Sequence, residues 1–302
     1  MRAIQKLSLT SRYYIFFLFL IVSVPAISQV NIYVIGDTRT GHAIHDSIVN
    51  IIARDEYDAL INTGDLISSG SRTADWEKFT EISEPLLKSP ELRSKYLGVF
   101  GNHDRDERDS LYRNWNKYLP WLPGNGQYYY QDIGDVRIII LNSVEGNDPV
   151  QNDSLQSWLK HNTRKWLIVA WHYPTFPFGS KWVDKTSLRE WWPMLYEEGV
   201  DLVINGHAHH YARSHPLRPI RNDLTCIRDY KRGIVQVISG GAGAPPYGIG
   251  KDKHNQEYYD SCLAESYDAG HHFCKITISD SLLTLKAYAL NDSLIDEFTI
   301  WK

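Results

Sequence analysis

Asp37, Asp65, Asn102, His172 and His207 each stand at or just past the C-terminal end of a short apolar run. Asn31 to Ile35 leads into Gly36-Asp37, Ala59 to Thr63 into Gly64-Asp65, and Tyr96 to Phe100 into Gly101-Asn102-His103-Asp104. Lys165 to Trp171 ends in His172, and Asp201 to Asn205 in Gly206-His207. Short apolar runs closed by Gly and Asp read as buried strands. Between them, Ala43 to Asp55 carries Ile44, Ile48, Ile51 and Ile52 at helical spacing. Thr73 to Lys88, Asp153 to His161 and Ser187 to Glu198 also read as helices. The alternation predicts βαβ units and a parallel sheet with right-handed crossovers. In such sheets ligands bind outside the carboxyl ends of the strands. One Asp after a strand is ordinarily a turn residue or a helix cap. Five metal-competent side chains at that edge make a site.

The remaining pattern is mostly strand. Gln127 to Asp132 and Val136 to Asn142 form a hairpin around Gly134-Asp135, and Ile234 to Ser239 and His272 to Ile278 are strands. Leu282 to Leu290 and Leu294 to Ile300 pair through Asn291-Asp292. Gly240-Gly241-Ala242-Gly243-Ala244-Pro245-Pro246 lacks the strand-then-helix context of a dinucleotide fingerprint. It reads as a tight loop near the polar strand ends, where small residues let backbone approach closely. No linker, internal repeat or low-complexity segment interrupts the pattern, so residues 29–302 read as one domain.

Residues 1–28 read as a secretory signal. Arg2, Lys6 and Arg12 precede an apolar run from Tyr13 to Val24, with Ala26 and Ser28 three and one before a cut after Ser28. An uncleaved anchor is the alternative, but Pro25 interrupts a run shorter than the ~20 residues of a spanning helix. The whole chain has 32 Lys plus Arg against 36 Asp plus Glu, a net charge of -4. Without residues 1–28 the balance is 29 against 36, or -7. A nucleic-acid protein usually carries a basic excess, so that class is set aside. An acidic chain that attracts an anion needs a local positive centre, which a metal site provides. Cys226, Cys262 and Cys274 allow at most one disulfide plus a free thiol, with the pairing left open.

The strand-end residues combine hard oxygen donors (Asp37, Asp65, Asn102) with imidazoles (His172, His207, His209). Mixed nitrogen and oxygen ligands without thiolate suit Zn, Fe, Mn or Co better than Ca or Cu(I). They are too many for one ion with an open position, and about right for two. A carboxylate between ions ~3.5–4 Å apart is the arrangement used for in-line displacement at phosphorus.

In this order, GDTRTG, GDLISSG, GNHD, WHYP and GHAHH resemble the calcineurin-like metallophosphoesterase superfamily over about residues 31 to 245. The stretch from Trp191 through GVDLVINGHAHHYARSHPLR looks most like the purple acid phosphatase branch. The resemblance implies an α/β fold, a β-sandwich of two mixed sheets flanked by helices (αββα). It implies two divalent or trivalent ions, with Fe, Zn or Mn as candidates. Asp65 would bridge both; Asn102, His172 and His207 would complete the second, and Asp37 and His209 would hold the first. His103 would contact the phosphate and assist the leaving oxygen, oriented by Asp104, while a hydroxide formed at the ions attacks phosphorus.

Two departures accompany the match. Many members carry a His two residues after the first Asp, and here that position is Arg39. The purple acid phosphatases use a Tyr three residues after the second Asp, and here that position is Ser68. Arg39 therefore has two readings: a bidentate donor to substrate phosphate, or a salt-bridged scaffold residue. His42 or His45 is a candidate replacement for the missing ligand, although their helical spacing favours a solvated turn, and His210 reads as polar surface. His215, His254, His271 and His272 read as hydrogen-bonded structural residues. Tyr173 to Phe178 and Trp182 either stack on a ligand or form a hydrophobic loop packed over the sheet.

The expected function is an exported two-metal phosphomonoesterase acting on a small phosphate ester, with no membrane attachment after cleavage. A phosphodiesterase or nucleotide hydrolase of the same superfamily is the alternative. A metal-binding protein with impaired catalysis, on the strength of Arg39, is the second.

Overall fold

Strand and helix alternate into two large sheets that share one apolar core. The computed structural model describes residues 29–106, 112–146, 148–179, 190–219, 226–249, 256–267 and 270–302. The expected secretory signal, Trp182, His254 and the predicted helix start at Ser187 lie outside them.

The first part of the chain forms β1 (Val30–Ile35), α1 (His42–Ile52), β2 (Ala59–Asn62), α2 (Thr73–Ile82), α3 (Glu84–Leu87), α4 (Pro90–Lys95) and β3 (Tyr96–Gly98). Then come α5 (Arg113–Tyr118), β4 (Tyr129–Ile133), β5 (Val136–Ile140), α6 (Pro149–Lys160), β6 (Trp166–Ala170), α7 (Trp191–Glu197) and β7 (Leu202–Asn205). The last part adds β8 (Tyr211–Ser214), β9 (Leu217–Arg218), β10 (Ile227–Arg228), β11 (Val235–Ser239), α8 (Gln256–Cys262), β12 (Leu263–Tyr267), β13 (His272–Ile278), β14 (Leu282–Ala289) and β15 (Leu294–Trp301).

One large sheet has six strands in the order β15-β14-β13-β1-β2-β3, the other large sheet has seven in the order β12-β8-β11-β7-β6-β5-β4, and β9 and β10 form a separate two-stranded pair. β1, β2 and β3 run parallel, as do β5, β6, β7 and β11. Both large sheets are mixed, because β13 joins β1 antiparallel and β8 joins β11 antiparallel. The αββα expectation therefore holds.

The period of two explains how the second sheet buries both faces. In β5 and β6, Ile138, Ile140, Ile168 and Ala170 join the core shared with β1 and β2. Ile139, Leu141, Leu167 and Val169 point the other way, into a second core with Leu155 and Leu159 of α6 and Trp191 of α7. Burying one such aliphatic side chain contributes about 1.5–3 kcal/mol, so a one-residue slip in β5 would exchange two cores at once.

Several boundaries differ from expectation. The predicted helix Thr73 to Lys88 breaks at Ser83, and α3 starts again with Pro85 in its first turn. Proline has no N–H to continue the ladder of α2. His45 is buried on the inner face of α1 with Ile48, Val49 and Ile52, rather than on a solvated turn. His42 is exposed, as expected. His210 is fully buried, against its reading as surface.

Candidate metal centre

The parallel strands of both sheets deliver their carboxyl ends to one place. Asp37 and Asp65 follow β1 and β2, Asn102 lies beyond β3, and His172 and His207 follow β6 and β7. The backbone turns sharply there: Asp37, Asp65 and His207 have φ of 54°, 55° and 67°. Each such non-glycine residue costs roughly 1–3 kcal/mol and persists where surrounding contacts over-determine it. Here Asp37 N donates to Gly64 O at 2.9 Å, and Ala244 N donates to Asp37 O at 2.7 Å. Neighbouring backbone must come very close. A Cβ on Gly101 would lie 2.1 Å from Asp65 N, and one on Gly240 would lie 2.7 Å from Asp37 Oδ2. The expected approach of the 240–246 loop to the site is thus observed.

His172, His207 and Asn102 point at one spot. His172 Nδ1–H donates to Thr63 O at 2.9 Å, and burial lowers the pKa of this imidazole, so the ring is neutral and Nε2 is bare. That Nε2 lies 3.1 Å from Asn102 Oδ1 and 3.3 Å from Asp65 Oδ1. His207 Nδ1 lies 3.2 Å from the same Asn102 oxygen. Burial, then the neighbouring His172, pushes the pKa of His207 down to about 3, keeping it neutral too. The bare Nε2 of His172 thus faces the lone pairs of Asn102 Oδ1 and Asp65 Oδ1, an arrangement that repels unless a cation lies between them. In a tetrahedral site with bonds of about 2.0–2.1 Å, ligand atoms are about 3.3–3.4 Å apart. The observed spacings match, so this donor set fits a metal ion.

The other donor set is already engaged by a cation. His209 Nδ1–H donates to Pro245 O at 2.9 Å, which leaves Nε2 as an acceptor 3.5 Å from Asp37 Oδ1. Arg39 Nη2 lies 3.3 Å from His209 Nε2, and Arg39 Nε donates to Asp65 Oδ2 at 3.3 Å. Asp65 therefore turns Oδ1 to the first-described set and Oδ2 to a guanidinium. Asp37 Oδ2 accepts from His207 N at 2.9 Å, while its buried Oδ1 has no hydrogen-bond partner. Burial, then the Asp65 charge, holds the Asp37 carboxyl well above its ordinary range. All six expected ligands thus come together, but Arg39 already engages Asp65 Oδ2 and His209 Nε2, two of the three donors expected for the first ion.

His103 and Asp104 divide their work differently from expectation. Asp104 accepts from the backbone N–H of Asp65, Leu66 and Gly101 at 2.9, 2.8 and 2.8 Å. It fixes the loops that carry Asp65 and Asn102. The ring of His103 is oriented instead by Ser68, whose carbonyl accepts from Nδ1–H at 3.0 Å. His103 Nε2 is left 3.9 Å from Asp65 Oδ2, with the side chain 35% exposed.

Three orienting groups, the carbonyls of Thr63, Ser68 and Pro245, had no sequence signal, because every residue carries a carbonyl. Tyr247 was also missed; its OH donates to His207 O at 2.8 Å and its ring lies 4.6 Å from that of His209. Of the aromatic loop, Phe176 and Phe178 are buried in the helix-side core, so the packed-loop reading holds for them. Tyr173 is the ring that touches the centre, 4.6 Å from His207.

The sequence model of the calcineurin-like phosphoesterases matches residues 30–211. Purple acid phosphatase 18 of Arabidopsis thaliana is 27% identical over 208 residues, covering 63% of this chain and 46% of that protein. Probable inactive purple acid phosphatase 24 of the same plant is 25% identical over 278 residues, covering 81% and 43%. The chain thus spans less than half the length of these relatives. Among solved structures, purple acid phosphatase PPD1 from yellow lupin superposes with a TM-score of 0.71 at 18% identity, covering 91% of this chain and 54% of that one. GAP50, the anchor in the inner membrane complex of Plasmodium, gives 0.64 at 14% identity, covering 90% and 89%. Because the family match takes in residues 30–211, more than half of the chain and all six expected ligand positions, the chain belongs to the calcineurin-like phosphoesterase family, on its purple acid phosphatase-like branch.

Proposed function

We propose that the chain is an exported, metal-dependent phosphoesterase that hydrolyses small phosphomonoesters. The observation that carries this reading is the convergence of metal-competent donor atoms from Asp65, Asn102, His172 and His207 beside the partly exposed ring of His103. A metal ion held by those four would polarise a phosphoryl oxygen and lower the pKa of water. The rest falls to side chains. Ser68 O holds His103 Nδ1–H, so a proton on Nε2 can pass to the leaving oxygen. Asp104 keeps Asp65 and Asn102 in register. Export is supported by the apolar N-terminal run and by the Cys226–Cys262 disulfide, a bond that persists in oxidising compartments.

Turnover of p-nitrophenyl phosphate and bis(p-nitrophenyl) phosphate, with added Zn, Mn or Fe, tests the reading. The monoester should dominate, and Asn102→Ala should abolish turnover. Dominance of the diester would move the chain to the phosphodiesterases. A second reading, a metal-binding protein without catalysis, is favoured by Arg39 and by the relative named a probable inactive purple acid phosphatase. Metal retention with no turnover of either substrate would select it.

A further inference from the structure

We propose that the Arg39 guanidinium takes the place of the first ion, so that this chain holds one metal ion beside a permanent, protein-borne cation. The proposal rests on the metallophosphoesterase reading above and deepens it. Arg39 Nε donates to Asp65 Oδ2, the oxygen turned away from His172, and Nη2 lies 3.3 Å from His209 Nε2. His209 can only accept there, because its Nδ1–H is committed to Pro245 O. The guanidinium thus occupies the two directions along which Asp65 and His209 would bind an ion. It is also built in: its side chain is only 18% exposed. Arg39 N donates to Asp65 O at 3.3 Å, and Gly41 N and Thr40 Oγ1 donate to Arg39 O at 2.8 and 2.6 Å. Asp37 is not committed to the donors of the first ion alone, since it also offers an oxygen within 4.8 Å of donors on Asp65 and His172. A guanidinium carries five N–H donors and does not deprotonate near neutral pH. With two engaged, three remain for phosphoryl oxygens, the geometry in which Arg binds phosphate well.

The test is an ion count. The metal-free chain is titrated with Zn2+, and separately with Mn2+, followed calorimetrically and by elemental analysis after desalting. The wild type and Arg39→Lys should hold one ion per chain. Arg39→His, which restores an imidazole at this position, should hold two. Arg39→Ala, in case the histidine variant misfolds, should admit a second, weaker ion. Asn102→Ala in the Arg39 background should hold none. Two ions in the wild type, or one in both Arg39→His and Arg39→Ala, would overturn the proposal while leaving the metal centre in place. No ion in any variant would overturn both.

Discussion

Asp65 divides its carboxylate between two kinds of partner: Oδ1 lies 3.3 Å from His172 Nε2, and Oδ2 lies 3.3 Å from Arg39 Nε. The donor set and the guanidinium are thereby held at a fixed separation by one buried side chain. A phosphate between them would meet a metal on one side and N–H donors on the other.

Arg39→Ala should raise KM for p-nitrophenyl phosphate. Hydrogen bonds to charged groups contribute about 1.5–3 kcal/mol, which corresponds to a rise of roughly 10–100-fold. Steady-state kinetics with one ion loaded per chain, before the weaker second site of the variant fills, measures this. Unchanged KM and kcat would take Arg39 out of substrate contact.

His103 and Asp104 are adjacent in sequence and should fail in different ways. His103→Ala should fold normally and lower kcat by about 10²–10⁴-fold, the usual span for a lost general acid. The loss should be larger on an alkyl monophosphate than on p-nitrophenyl phosphate, whose leaving group needs little protonation. Equal losses on both would exclude proton transfer by His103. Asp104→Ala instead strands the backbone N–H groups of Asp65, Leu66 and Gly101. Each buried unsatisfied group costs about 1–3 kcal/mol, so a lower melting temperature and weaker metal retention should accompany any loss of rate.

The strand ends were legible because apolar runs of strand length stopped at polar residues, and that pattern is local. The partners that orient each imidazole were not, because backbone carbonyls leave no mark in a sequence. β8 was missed for a related reason. Tyr211–Ser214 begins directly after His210 and is defined by its pairing with β11 and β12. Its anchor is remote as well: Arg213 Nε and Tyr211 OH both donate to Asp296, more than eighty residues away, at 2.6 and 2.7 Å. His45 is a different case. It stands three and seven residues before Ile48 and Ile52, on the apolar face of α1, so the period was present and the polar side chain masked it.

Buried His45 should make the fold sensitive to acid. Burial, then the nearby His42, depresses its pKa from 6.5 to about 3 in the folded chain. Its ring stacks on Phe79, with Ser83 Oγ 3.5 Å from Nε2. Between those two pKa values the unfolded chain binds a proton that the folded chain refuses. Stability therefore falls as pH drops below 6.5, by up to about 1.4 kcal/mol per pH unit from this group. His45→Leu removes that contribution and leaves the other histidines in place. Urea unfolding between pH 7 and pH 4 should show a shallower loss of stability in the variant than in the wild type. Parallel curves would mean that His45 protonates without opening the core.

The three cysteines should sort cleanly by accessibility. Cys226 and Cys262 are joined across 36 residues, tying the start of β10 to the end of α8. Loop-closure entropy for a span of this length corresponds to about 4 kcal/mol. Cys274 is fully buried in β13, and burial pushes its thiol up to about 12, with Sγ 3.5 Å from Ser239 Oγ. It should be inert toward iodoacetamide at neutral pH, because the thiolate is the reactive form. Mass spectrometry should find no carbamidomethyl group on the native chain, one after denaturation, and three after denaturation with reduction. Reduction alone should lower the urea midpoint. Labelling of Cys274 in the native chain would show that β13 opens without global unfolding, and three labels without reductant would show that the disulfide is absent.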